Sequence, residues 1–172
     1  MSLIFVTGIS TSGKSSIARR LVDQGYEAYD TERNGISAYF NTETGERVAE
    51  FGEAPNTKEW LAKHKWLMSV KWVEHNAAKS QNKLVFLCGG SSNDERIREL
   101  CDTVIWLKTD EETIRNRVDR LREHDYGTRP HELEKIIKGN KSKETDYINY
   151  GALVVDARKS IDVVVDEILG YL

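Results

Sequence analysis

At 172 residues the chain has the length of one domain, 1–172, and can bury a sizeable core. Its 39% hydrophobic and 31% charged residues are those of a globular protein, and a formal net charge of −3 argues against a general binder of nucleic acid or membrane surfaces. Two cysteines, Cys88 and Cys101, lack metal-ligand spacing and read as reduced thiols; the first apolar run, Leu3 to Val6, is too short for a signal core or a membrane span. The expected location is cytoplasmic.

In chain order, Leu3 to Val6 predicts a strand. Behind it stands Gly8-Ile9-Ser10-Thr11-Ser12-Gly13-Lys14-Ser15-Ser16, which fits G-x-x-x-x-G-K-[ST]. Glycines let such a loop turn its N–H groups inward on a phosphate, and the helix expected over Ser15 to Asp23 turns its positive end to the same anion. Lys14 is placed to reach the β- and γ-phosphates, and the Ser15 hydroxyl to bind Mg²⁺. The loop therefore predicts a site for a nucleoside triphosphate.

A second strand, Glu27 to Thr31, runs into Asp30-Thr31-Glu32. Ligands of an open α/β sheet lie beyond the carboxyl ends of its strands, so these two carboxylates are candidates for a magnesium ligand, Asp30, and for a base toward an attacking hydroxyl, Asp30 or Glu32. Residues 33–57 read as an inserted hairpin around the polar turn Asn41 to Glu46, with Tyr39, Phe40, Arg47 and the Trp60 helix shaping an acceptor pocket. Thr57 to Gln81 reads as one long helix, apolar on two sides, with His64 and His75 as packing or hydrogen-bonding residues.

A third strand, Lys83 to Cys88, leads into Gly89-Gly90-Ser91-Ser92. No aspartate ends this strand, and the glycines suit a close backbone approach to substrate, with Ser91, Ser92 or Asn93 as the alternative of a simple helix cap. Thr103 to Leu107 and Ala152 to Val155 complete five strands alternating with helices, an α/β pattern with a parallel sheet. Between the last two, the helical stretch from Asp110 is rich in arginine. Arg117 flanks one edge of its apolar stripe, Arg115 and Arg122 the other, and Arg120 points to solvent. Arg129 falls in the polar loop 122–130, placed to close over a site as lids do.

Together these residues resemble the small P-loop metabolite kinases, and shikimate kinases most of all. The matching motifs are the loop Gly8 to Ser15, Asp30-Thr31-Glu32 after strand two, Gly89-Gly90, and Arg129-Pro130 of the lid, with Val154 to Arg158 as the loop touching adenine and Arg117 near the base. The resemblance implies a three-layer α/β/α P-loop NTPase fold with a five-stranded parallel sheet in order 2-3-1-4-5, a lid and a substrate-side subdomain. It implies ATP and Mg²⁺, with the γ-phosphoryl group passing to a small acceptor: a shikimate-like alcohol, a nucleoside or a nucleotide. On this pattern Lys14, Asp30, Glu32, Arg117 and Arg129 are catalytic. Arg117, Ala157 and Arg158 join the loop in holding ATP, and Asp30, Glu32, Gly89, Gly90 and Lys143 face the acceptor. The chain departs from the pattern at Glu32 in place of aspartate, Ser91 in place of a third glycine, and Lys143 in place of an arginine that grips a carboxylate. The other expectation is a regulatory nucleotide switch with a protein or RNA partner.

Overall fold

A computed structural model describes residues 2–55, 57–79, 83–121 and 126–172. Gln81, Arg122 and the rest of 122–125 in the expected lid lie outside the described residues.

Five strands, β1 (Ser2–Thr7), β2 (Glu27–Asp30), β6 (Leu84–Cys88), β7 (Thr103–Lys108) and β8 (Leu153–Asp156), form one parallel sheet in the order β2-β6-β1-β7-β8. Counted within this sheet alone, that is 2-3-1-4-5, and each strand lies within one residue of its expected ends. Strict alternation explains the two faces. Leu3 and Phe5 of β1, Leu87 of β6 and Trp106 of β7 enter one core, with Ile97 of α4 (Asp94–Arg98), Ile114 of α5 (Glu111–Val118) and Ile136 of α6 (Pro130–Tyr150). Ile4, Val6, Phe86 and Ile105 enter the other, under α1 (Lys14–Asp23) and α7 (Ile161–Gly170).

The inserted hairpin forms as β3 (Ser37–Asn41) and β4 (Arg47–Ala49), but it is not alone. The single helix expected over Thr57 to Gln81 is overturned. The chain forms α2 (Lys58–Lys63), then β5 (His64–Met68), then α3 (Val70–Lys79). β5 pairs antiparallel with β3 over five residues, Ser37 opposite Met68 through Asn41 opposite His64, giving a second sheet in the order β4-β3-β5. A distant partner edge outweighs the local helical period, because helix propensity is worth only tenths of a kcal/mol per residue. Trp66 and Met68 then share one face of a strand. His64 stacks on Trp60 at 4.1 Å, and its Nδ1 donates to Trp60 O at 2.7 Å, so it packs and hydrogen-bonds.

β5 is clamped to the loop after β6. Asn93 acts as a peptide mimic: its Oδ1 accepts from Met68 N at 2.9 Å and its Nδ2 donates to Met68 O at 3.0 Å. Ser92 N donates to Trp66 O at 2.7 Å, and Trp66 Nε1 donates to Gly90 O at 3.1 Å. The second sheet is thereby fixed over the carboxyl edge of the first. Asn93→Ala removes two of these bonds and is expected to cost about 2 kcal/mol, at about 1 kcal/mol each. Urea denaturation and amide exchange at Met68 read this; unchanged exchange there would mean that the ladder to β3 holds β5 unaided.

Candidate active site

The site grows from the turn between β1 and α1. Thr11 (φ 69°) and Gly13 (φ 104°) both take left-handed backbone, and at Gly8 an added Cβ would stand 2.7 Å from Ser12 Oγ and 3.0 Å from Leu107 Cβ. The loop is thus wound tightly enough to aim successive N–H groups inward. Gly13 caps α1 without a side chain, and no acidic residue occupies the first turn, so the positive end of the helix is left for an anion. Lys14 Nζ donates to Gly8 O at 3.0 Å and Ile9 O at 2.7 Å. Burial lowers its pKa, while Glu32, Asp94 and Asp30 oppose that shift and Lys143 adds to it. Four side chains, from β2 and the turn after it, α4 and α6, thus act on one ammonium.

Asp30 closes the turn after β2. Its Oδ1 accepts from Glu32 N at 3.2 Å and Arg33 N at 3.3 Å. Its Oδ2 is buried without a hydrogen bond and lies 3.4 Å from Arg33 Nε. Glu32, half-buried in this turn, feels the charge of Lys14, and burial raises its carboxyl above the usual range against that pull. Tyr39 of β3 is packed between Trp60 and Trp66, each with its ring centroid 4.8 Å away. Burial pushes its phenol up to about 12, with Tyr126, Glu132 and Glu32 adding to the shift, so β2, β3 and the start of α6 converge on one hydroxyl. Phe40 and Arg47 do not share this place: Phe40 pairs with Lys65 on the opposite face of β3, and Arg47 ion-pairs with exposed Glu50 at 3.0 Å.

Gly89 and Gly90 line the floor between these groups. A Cβ at Gly89 would fall 1.9 Å from Oγ1 of fully buried Thr31, whereas at Gly90 the nearest atom is Thr7 Oγ1 at 3.6 Å. Gly89 is demanded by close packing of β2 on β6. Gly89→Ala is expected to destabilise the fold by about 2–3 kcal/mol as an overpacking mutation. Gly90→Ala, in open contact, is the control in the same denaturation series.

Asp94 was not singled out by sequence reasoning, which looked for a carboxylate at the strand end itself. It reaches back from the first turn of α4: Oδ1 accepts from Ser91 N at 2.6 Å and Ser91 Oγ at 2.8 Å, and Oδ2 accepts from Tyr147 OH at 2.9 Å. The signal available was Ser91-x-x-Asp94, the spacing of a capping box.

Arg117 ties two parts of the rim together, its Nη1 donating to Thr11 O at 3.0 Å and its Nη2 to Ala157 O. Arg158 is taken up by Asp156 and Asp110, at 2.8 and 3.0 Å. Arg129 pairs with Glu132 at 3.2 Å, and Glu132, only 2% exposed, also accepts from Gly127 N at 2.9 Å. The structure therefore gathers the phosphate loop, Asp30, Glu32, Gly89, Gly90 and Lys143 at one cleft, and gives Arg117 and Ala157 a backbone-bracing position beside it. Among the described residues no group of three or more His, Cys, Asp or Glu could hold a metal, and no helix is long and apolar enough to cross a membrane.

A phosphate loop at the centre of a 2-3-1-4-5 parallel sheet, with a second sheet facing it across an acidic cleft, defines a P-loop kinase of small molecules. The chain belongs to the shikimate kinase family: the family model for shikimate kinase matches residues 10–172. Enzymes of this family are ATP-dependent small-molecule kinases. Similar solved structures include the shikimate kinase of Aquifex aeolicus VF5, 17% identical, with a TM-score of 0.57 over 98% of this chain and 94% of that one. Deoxyadenosine kinase from M. mycoides is 13% identical, with a TM-score of 0.54 over 98% and 97% of the two chains. A gluconokinase from Sinorhizobium meliloti 1021 is 16% identical, with a TM-score of 0.50 over 95% and 87%. At these identities the likeness is one of fold. No curated protein sequence matches the chain.

Proposed function

We propose that the protein transfers the γ-phosphoryl group of ATP-Mg²⁺ to a hydroxyl of a small polar acceptor, with Glu32 as the base. The observation that carries this reading is a half-buried carboxylate, Glu32, near enough to the phosphate-loop cation, Lys14, for each to act on the other's charge. An acceptor lying between them has its hydroxyl at the base and its target at the lysine, the arrangement an in-line transfer requires.

The chain's own groups divide the work. N–H groups of Gly8 to Ser16 and the start of α1 cradle the phosphates, and Lys14 offsets charge on the transferred group. Ser15 and Asp30 are hard oxygen donors suited to Mg²⁺, and buried, hydrogen-bond-free Asp30 Oδ2 supports that fit. Few protein ligands suffice, because Mg²⁺ keeps waters and phosphate oxygens around it; when bound, it neutralises the β- and γ-oxygens. Glu32 takes the proton of the attacking hydroxyl. Arg117 and Ala157 brace the adenine side, with Arg158 at its edge. Gly89 and Gly90 form the acceptor floor, and the β4-β3-β5 sheet forms the wall, so that the inserted unit runs on from 33–57 to Met68. Loop 122–130, with Arg129, serves as the lid of this one-domain enzyme.

The test is ADP release from ATP-Mg²⁺ with shikimate, gluconate, nucleosides, nucleoside monophosphates and neutral polyols in turn. One acceptor raising the rate well above the acceptor-free rate is the expected result. A flat rate across the panel with ATP still bound would count against transfer to a small alcohol.

A further inference from the structure

Helix α6 carries Asn140, Lys143 and Tyr147 at spacings of three and four, so the three side chains leave one face of the helix. Two of them are pinned. Asn140 Nδ2 donates to Thr109 O at 2.9 Å, just past the carboxyl end of β7. Tyr147, 2% exposed, gives its hydroxyl to Asp94 Oδ2 at 2.9 Å and also hydrogen-bonds Thr7, the residue directly before the phosphate loop. Its ring stacks on Trp106 with centroids 4.6 Å apart. Lys143 therefore stands between two fixed points on the rim that bears the loop. It is exposed, and among the described residues no hydrogen bond or ion pair holds it. The charge it meets is a like one, since Lys143 acts on the ammonium of Lys14. Carboxylates at the cleft, Glu32, Asp94 and Asp30, act on Lys14, whereas among the described residues none pairs with Lys143, which leaves its charge for an incoming anion.

We propose that Lys143 is a second cation for the terminal phosphoryl group of ATP, meeting it from α6 while Lys14 meets it from the loop, rather than a grip for an anionic group on the acceptor. The inference rests on the kinase reading above. It gives the Asn140 and Tyr147 anchors a purpose, which is to hold a flexible side chain's root at one distance from the loop. A lysine serves there as a point charge, where planar recognition of a carboxylate would call for an arginine fork.

The experiment needs no acceptor. Calorimetry gives the affinities of AMP-PNP-Mg²⁺ and ADP-Mg²⁺ for the wild type, Lys143→Met, Lys143→Arg and Lys14→Ala. Lys143→Met is expected to weaken AMP-PNP about tenfold, the worth of one charge-assisted contact, and to leave ADP unchanged. Lys143→Arg keeps the preference for the triphosphate, and Lys14→Ala weakens both nucleotides. A merely structural role for Lys143 would not separate a triphosphate from a diphosphate, and unchanged thermal midpoints confirm the fold. Equal effects on both nucleotides, or none on either, overturn the assignment of Lys143 and leave the kinase reading standing. So does an anionic acceptor whose KM rises in Lys143→Met at constant AMP-PNP affinity. Absence of nucleotide binding by the wild type, or indifference to Lys14→Ala, overturns the kinase reading and this assignment with it.

Discussion

Lys14→Ala is expected to lower kcat/KM for phosphoryl transfer by on the order of 10³ or more, the largest single effect in the molecule. Two contributions add. The substitution removes the one cation built into the loop, whose Nζ lies 3.0 Å from Gly8 O and 2.7 Å from Ile9 O. It also leaves Glu32, Asp94 and Asp30 without the positive charge that offsets them at the point where a triphosphate must enter. ATP affinity therefore falls together with kcat. The measurement is ADP release with the best acceptor, alongside circular dichroism to show an intact fold. A loss smaller than about tenfold would place the phosphate-binding charge elsewhere.

Glu32→Gln is expected to reduce kcat by on the order of 10² to 10⁴ while leaving ATP binding nearly intact, because a general base acts only in the transfer step. Two further readouts separate a base from a structural group. Burial holds the Glu32 carboxyl above its ordinary range, and only the ionised form accepts a proton. The wild-type rate therefore climbs with pH along an acid limb lying above the usual carboxylate value of about 4.3, and that limb disappears in the variant. Stability moves the other way. A carboxyl whose native pKa is raised binds its proton more tightly when folded, so its ionisation destabilises the fold. That loss begins as pH passes the unfolded value and is complete above the native one. Glu32→Gln removes the ionisation, and its thermal midpoint at neutral pH is expected to rise as activity falls. Lower activity with lower stability would instead make Glu32 a support for the β2 turn.

Stability exchanged for activity at Glu32 fits the way the site is assembled. Asp30 spends one oxygen on its own turn and Glu132 both of its oxygens on Gly127 and Arg129, whereas Glu32 is left in the cleft with its charge opposed by burial. Among these acidic groups, the one with no hydrogen bond to settle it is the natural candidate to exchange a proton.

The sequence by itself determined the central sheet and the phosphate loop. Runs such as Leu3 to Val6 and Leu84 to Cys88 are apolar on both faces and short, as buried parallel strands must be, and Gly8 to Ser15 carries its chemistry in contiguous residues. These signals are local, so periodicity and spacing reach them. The tertiary structure alone decided three other things. His64 to Met68 became a strand because β3 and the Asn93 amide offer it hydrogen bonds from residues more than twenty positions away. Asp94 entered the site because Tyr147, fifty-three residues on, donates its hydroxyl to the second oxygen. Lys143 gained its bearing on Lys14 because Asn140 and Tyr147 fix the face of α6 that turns inward. Each of these rests on a pairing between distant segments, and the free energy of such a pairing is written in neither segment alone.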